Sequence, residues 1–226
     1  MQGHRTNLVM MLAVMTILTA MIAIGGCATA IKDKSVVHYV DPGFSEDHLK
    51  TFGLAMLPVV AGQGQEGYRR PIAECLSAGV RRAMADGRFL DWRETMDALN
   101  EQDLADDYES LIGTYRETAI LREEMVSQLG EALRVRYLLF VSLEEFHTRT
   151  STSYSVFTGI QSQRKAAVNA FCQVWDCATG DVVWEGSAAA ESVGGELSYD
   201  KPYEEYARTA AEGLVGRLFG GDEKAR

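Results

Sequence analysis

The chain has 226 residues with 22 basic and 32 acidic side chains, a formal net charge of −10, and 46% hydrophobic residues. That hydrophobic share is ordinary for a chain able to bury a core, and the length fits one large or two small domains. The acidic balance argues against nucleic acid and against anionic lipid surfaces as partners, both of which repel a surface of the same sign.

The first informative stretch is residues 8–27, LVMMLAVMTILTAMIAIGGC. Before it, residues 1–7 carry Arg5 and no acid; within it, the apolar run from Leu8 to Ile24 is broken only by Thr16 and Thr19. Gly25 and Gly26 then precede Cys27. A charged start, an apolar core and a small-residue exit are the parts of a secretory signal. The alternative is an uncleaved transmembrane helix, but the run is shorter than the ~20 residues a span needs, and no basic stop-transfer cluster follows. Ile24-Gly25-Gly26-Cys27 resembles the lipobox of bacterial lipoproteins. The resemblance implies that the Cys27 sulfur takes a diacylglyceryl group, that cleavage falls just before it, and that the new amine is acylated. Each buried methylene contributes about 0.8 kcal/mol and one chain binds only marginally, so several chains on Cys27 give lasting attachment. In that family an aspartate after the cysteine retains the protein at the inner membrane. Ala28 stands there, which implies the outer membrane, facing the periplasm. Loss of residues 1–26 removes one arginine and no acid, leaving 21 basic and 32 acidic side chains and a net charge of −11.

Residues 28–50 show little periodicity and a turn at Asp41-Pro42-Gly43, and are expected to form a tether. Phe52–Val60 is apolar almost throughout, as a strand covered on both faces would be, with Pro58 near its end because proline cannot donate to a ladder. A helix is expected from Pro71, with Ile72, Leu76, Val80 and Met84 at helical spacing and Gly87 as its stop. Cys75, Gly79 and Ala83 form a small-residue stripe suited to close packing on a sheet. Arg88–Trp92 is a short strand. Glu94–Tyr115 reads as one acidic helix capped at Asp103, with Leu104, Tyr108, Leu111, Ile112 and Tyr115 on one face. The next helix turns Leu121, Met125, Leu129 and Leu133 inward and feeds the apolar strand Val135–Phe146. Residues 147–165 are polar and β-prone, a protruding hairpin or a mobile loop. Ala166–Asp176 and Val182–Ala189 flank a turn with Gly180. The last helix, Pro202–Phe219, carries Tyr206, Ala210, Leu214 and Leu218 inward.

The order β-α-β-α-α-β-β-β-α predicts an α/β (α+β) fold, a mixed sheet with helices packed on it. The expected organisation is a signal at 1–26, a lipidated tether at 27–50, a mixed α/β periplasmic domain at 51–220 and a tail at 221–226. The strand LAMLPV, the words DGRFLDW and QLGEAL, the strand RYLLFVSL and the pair VWDCATGDVVWEG, spread over residues 51–220, resemble a group of bacterial envelope lipoprotein domains. The group includes the curli secretion lipoprotein, the amino-terminal domain of the Tol translocation protein and the lipoprotein activator of penicillin-binding proteins. It implies a non-catalytic envelope protein that docks partners or assembles with copies of itself. Of its residues only the acylated Cys27 carries over, and the acidic segment 94–115 departs from the group's pattern.

Gly62-Gln63-Gly64-Gln65-Glu66-Gly67 lies between a strand and a helix, and Asp91 ends the next strand. Gly62, Gly64, Gly67 and Asp91 are therefore where a dinucleotide fingerprint wants its glycines and its ribose carboxylate. Pro71 delays the helix beyond the place that fingerprint requires, and an exported protein leaves the nicotinamide pool. A plain loop is the expectation, and nucleotide binding or an enzymatic use of the loop the alternative. His38, His48 and His147 have no metal-ligand spacing, and Cys172-x4-Cys177 lacks a second pair. Among Cys75, Cys172 and Cys177 the sequence leaves open one disulfide or three buried thiols. Cys172 and Cys177 fall on opposite faces of a straight strand, while Cys75 and Cys172 both face the core. No G-x-S-x-G and no cysteine–histidine pairing is present, and Asp103–Asp107 and Glu123-Glu124 read as solvated helix faces. Trp92, Trp175 and Trp184 read as core or sheet-face residues. Residues 147–165 lack the apolar outer face that a membrane hairpin of ~9–11-residue strands needs, which argues against a pore.

The sequence thus predicts a non-enzymatic, cofactor-free envelope lipoprotein. It would be anchored by acyl chains on Cys27, with a protein partner or a second copy of itself bound to its periplasmic body; a secretion-channel component is the further alternative. Cys27→Ala should accumulate as an uncleaved, unacylated precursor by mass spectrometry, and normal processing of that variant would contradict the anchor.

Overall fold

The structure is a computed structural model, and it describes residues 30–118, 121–155, 159–193 and 202–220. The signal stretch, Cys27, Ala28 and the tail from 221 lie outside the described residues. Among the described residues, eight strands form one mixed sheet with six helices against it.

The centre of the sheet is β6 (Tyr137–Ser155). It pairs antiparallel with β7 (Gly159–Asp176) on one side. On the other it pairs parallel with β3 (Leu54–Met56) and β4 (Val60–Ala61), which lie end to end. β5 (Phe89–Leu90) closes that edge, parallel to β3. Beyond β7 comes β8 (Val182–Val193), and along its far side run β1 (Ala30–Asp33) and β2 (Val36–Val40), both antiparallel.

Both faces of β6 are apolar because both are covered. Leu139, Val141 and Leu143 share one core with α2 (Arg69–Ala83) and α6 (Tyr203–Phe219), through Ile72, Leu76, Val80, Ala210 and Leu214. Leu138 and Phe140 face the other, against α3 (Trp92–Glu101), α4 (Ala105–Thr118) and α5 (Glu123–Leu133), through Leu99, Leu111, Val126 and Leu129. Leu138, Phe140 and Val141 are 0% exposed, and burying such a side chain contributes about 1.5–3 kcal/mol.

Four expectations are corrected. The tether expected at 27–50 is not one over its described part: β1, β2 and α1 (Glu46–Phe52) belong to the body. Only Ile31 and Val37 of the two strands pack on the core, so a single inward residue per strand leaves no periodicity to read. The strand expected at 52–60 is divided, because Phe52 ends α1, Gly53 turns the chain at φ 82°, and β3 and β4 come separately on either side of Pro58. The acidic helix expected at 94–115 is two helices. Asp103, expected as its cap, holds the left-handed turn between them at φ 57°, and the cap belongs to Asp91 at the start of α3. The small-residue stripe of α2 faces α6 rather than the sheet: a Cβ at Gly79 would lie 2.9 Å from Val215.

An ion pair ties the sheet's lower end. Asp176, 4% exposed, accepts from Arg136 Nε at 3.0 Å, Arg136 Nη2 at 2.7 Å and Ala178 N at 2.9 Å. The guanidinium lies 5.1 Å from the Phe52 ring centre. The pair joins the end of α1, the start of β6 and the β7–β8 turn. Arg136→Met, which strands a buried carboxylate, should lower the unfolding free energy by about 2 kcal/mol in urea denaturation; an unchanged midpoint would remove the pair from this account.

Candidate functional site

The glycine loop lies where β4 leaves the sheet, and its polar groups are engaged within the chain. Gln65 N donates to Gly62 O at 3.0 Å, Tyr68 N to Gln65 O at 3.0 Å, and Gly64 N to the Glu66 carboxylate at 3.2 Å. The Gln65 side chain accepts from Phe146 N at 3.2 Å, and the Tyr203 hydroxyl donates to Tyr68 O at 3.0 Å. Around these bonds three rings close on one another: Tyr68 and Phe146 with centroids 4.8 Å apart, Tyr68 and Tyr203 4.6 Å, Phe146 and Tyr203 4.9 Å. Each such ring pair adds about 0.5–1.5 kcal/mol beyond its buried area. The loop is a clasp joining the start of α2, β6 and the start of α6.

A dinucleotide loop needs glycines under close approach and amides converging on phosphate. Of Gly62, Gly64 and Gly67 only Gly64 has a positive φ, 79°, and neither Gly64 nor Gly67 has an atom within 4 Å of an added Cβ. A 3-10 turn, Glu66–Tyr68, separates the loop from α2, and a carboxylate, Glu66, sits on the Gly64 amide.

Asp91 is the N-cap of α3. Its carboxylate accepts from Arg93 N at 2.9 Å, Glu94 N at 3.1 Å and Arg81 Nη2 at 2.9 Å, while Glu94 reaches back to Asp91 N at 2.8 Å. This is a capping box. Burial alone would raise the Asp91 pKa, but the Glu94 amide, the Arg81 guanidinium and the Arg93 amide outweigh it and hold the carboxyl below its ordinary value.

An open cavity of about 460 Å³ lies beside the clasp, walled by Val59, Ala73, Trp92, Met96 and Tyr108, with Glu66 and Arg69 among its polar lining. The Trp92 indole N–H is buried without an acceptor. The Tyr108 hydroxyl donates to Pro58 O at 3.3 Å, and burial pushes its pKa up. The cavity can take an apolar side chain or ring.

Cys75, Cys172 and Cys177 are free thiols. Cys172 lies in the core under α2 and α6, and Cys177 in the core on the other side of the sheet. Burial pushes the Cys177 thiol up to about 12 and raises Cys172 and the half-buried Cys75 as well. Among the described residues, no three histidine, cysteine or carboxylate side chains cluster as for a metal, and no helix is long and apolar enough to cross a membrane. Trp175 and Trp184 are buried, and Trp92 packs against the core. The surface that sequence reasoning missed is β2, whose Val36, Tyr39 and Val40 are 50%, 46% and 39% exposed on the sheet's edge. The VVHYV run was the available signal.

No family profile and no curated protein matches the chain. Solved structures with a partial likeness include the PelC dodecamer from Paraburkholderia phytofirmans, at 13% identity and TM-score 0.41 over 84% of this chain and 98% of that one. Lipoprotein GNA1162 from Neisseria meningitidis is 16% identical, at TM-score 0.42 over 74% and 92%. The C-terminal domain of LpoB from Salmonella enterica is 12% identical, at TM-score 0.35 over 66% and 86%. At such values each is a likeness of shape and carries nothing about activity.

Because the folded-state pKa of Asp91 is depressed, its contribution is full above the unfolded value near ~4 and is lost as pH falls through the folded value. Asp91→Ala should cost about 1 kcal/mol at neutral pH. Asp91→Asn, which keeps an acceptor, should converge on the natural protein below that value in denaturation curves across pH. Unchanged stability of Asp91→Ala at neutral pH would overturn the cap reading, and equal curves for Asp91→Asn at all pH values would remove the part played by the charge.

Proposed function

We propose that this chain is a non-enzymatic envelope lipoprotein, held in a membrane by acyl chains on Cys27 and facing the periplasm from the outer membrane, whose α+β body binds another envelope protein. The lipobox-like Ile24-Gly25-Gly26-Cys27 supports the anchor. Because β1 begins at Ala30, three residues after Cys27, at most about 11 Å of chain separates the body from the lipid. The body works at the membrane surface rather than at the end of a long tether.

The observation that carries partner binding is the edge of β2. Val36, Tyr39 and Val40 are exposed on a strand with no outer neighbour among the described residues. An edge strand offers unpaired backbone groups to another strand, and exposed apolar side chains add area to the contact. A second copy of the chain and a different envelope protein both fit that chemistry.

A photo-crosslinking residue at position 39 of the acylated protein, in its own membrane, tests this. An adduct at 39 and none at the exposed helix position 124 is the expected result. An adduct at twice the chain mass identifies a second copy, and any other mass a distinct partner. No adduct at 39 in correctly acylated protein would overturn the binding role of this edge.

A further inference from the structure

The connections of the parallel strands reverse direction at β3. From β3 and its continuation β4 the chain crosses through α2 to β5 on one side of β3, then returns through α3, α4 and α5 to β6 on the other. α2 packs on one face of the sheet and α3 on the opposite face. Neighbouring parallel strands whose chains leave to opposite faces open a crevice beyond their carboxyl ends, and small ligands of open α/β sheets bind in such crevices.

The cavity of about 460 Å³ occupies that place. Pro58 and Val59 follow β3, Ala73 belongs to α2, Trp92 and Met96 begin α3, and Tyr108 comes from α4. The Tyr108 hydroxyl donates to Pro58 O at 3.3 Å, which holds the ring as a wall. The volume falls within the range of small-ligand sites, about 300–1,000 Å³.

The charge around this cavity has the opposite sign to that of the chain. Arg69 and Arg70 line it. Arg70 Nε donates to Glu74 Oε1 at 2.8 Å, and Arg93 Nη2 donates to the same oxygen at 2.7 Å, so one carboxylate serves two guanidiniums. The Arg93 guanidinium lies 4.4 Å from the centre of the Trp92 ring. Arg69 Nε donates to Glu66 O at 3.2 Å, and Arg69 forms no ion pair among the described residues. The Glu66 carboxylate is taken by Gly64 N at 3.2 Å, and the positive charge of Arg116 acts on both Glu66 and Tyr108. Asp91 and Glu94, the acids nearest Trp92 in sequence, are held by Arg81. Arg69, Arg70, Arg93 and Arg116 thus face Glu66 and Glu74 alone, a local positive excess in a chain of net charge −10.

We propose that this cavity binds a small amphiphilic anion, an aromatic or branched apolar body bearing one acidic group. The body lies against Trp92, Met96 and Tyr108, and the acidic group meets Arg69 and Arg70. The glycine loop takes no part in holding the anion, because the Gly64 amide already has Glu66. The site is independent of the β2 edge and of the acyl chains on Cys27.

The test adds a trifluoromethyl-biphenyl carboxylate to the full chain in phosphatidylcholine nanodiscs and follows its fluorine NMR resonance. Empty nanodiscs are the blank, and the corresponding carboxamide is the uncharged counterpart. The carboxylate should saturate at one site per chain and bind more tightly than the carboxamide by about fivefold, the upper scale of an exposed ion pair. Arg69 and Arg70 are exposed, so R69Q/R70Q should keep the thermal midpoint while bringing the carboxylate down to the affinity of the carboxamide. Met96→Trp, which fills the cavity, should weaken both compounds. A fluorine-to-proton Overhauser contact with the Trp92 ring in the natural protein locates the compound without depending on that variant. Absence of this contact, or binding untouched by Met96→Trp at an unchanged midpoint, would overturn the cavity as the site. Equal affinities for carboxylate and carboxamide, or full carboxylate affinity in R69Q/R70Q, would overturn the anionic class and favour an uncharged occupant such as an apolar side chain of a partner. Binding of neither compound would overturn the proposal as a whole.

Discussion

The structure depends on one strand that must be covered on both faces. From Tyr137 to Leu143, β6 places apolar side chains alternately on opposite sides of the sheet, and neither set can face water without losing about 1.5–3 kcal/mol per residue. α2 and α6 cover one face and α3 to α5 the other. The parallel neighbours β3 and β4 require crossover connections, and α2 and the α3–α5 run are those crossovers. Beyond Phe146 the apolar character of β6 ends, while β8 still pairs with β7 as far as Ala167 opposite Glu191.

At the point where β6 leaves the core, the aromatic clasp fixes three elements that are distant in sequence. Phe146 lies against Tyr68 and Tyr203, and the Gln65 side chain takes the Phe146 amide. The glycine loop thereby supports β6 at that point. Tyr203, the first residue of α6, is held by its hydroxyl on Tyr68 O, so the closing helix is positioned by the same contact.

Much of the fold was legible. The double-faced β6, the helical spacing in α2, α5 and α6, and the Gly180 turn, at φ 73°, all follow from local pattern. The mixed α+β sheet follows from their order. The edges were not legible. β1 and β2 each present one inward residue, Ile31 and Val37, and their partner β8 lies some 150 residues away in sequence, so no local window holds both. The sequence D-W-R-E at Asp91–Glu94 contained the capping box in full, yet the nearby glycines drew Asp91 into a dinucleotide pattern that the loop's own hydrogen bonds do not support. The break at Asp103 escaped notice because an aspartate in the left-handed region looks, by sequence, like an aspartate at a helix start.

The most direct test of the central claim is the intact mass of the protein purified from membranes, before and after reduction. The account predicts residues 27–226 plus about three acyl chains, unchanged by reductant because Cys75, Cys172 and Cys177 are free thiols. A mass equal to the full 226-residue chain, without acyl groups, would contradict it.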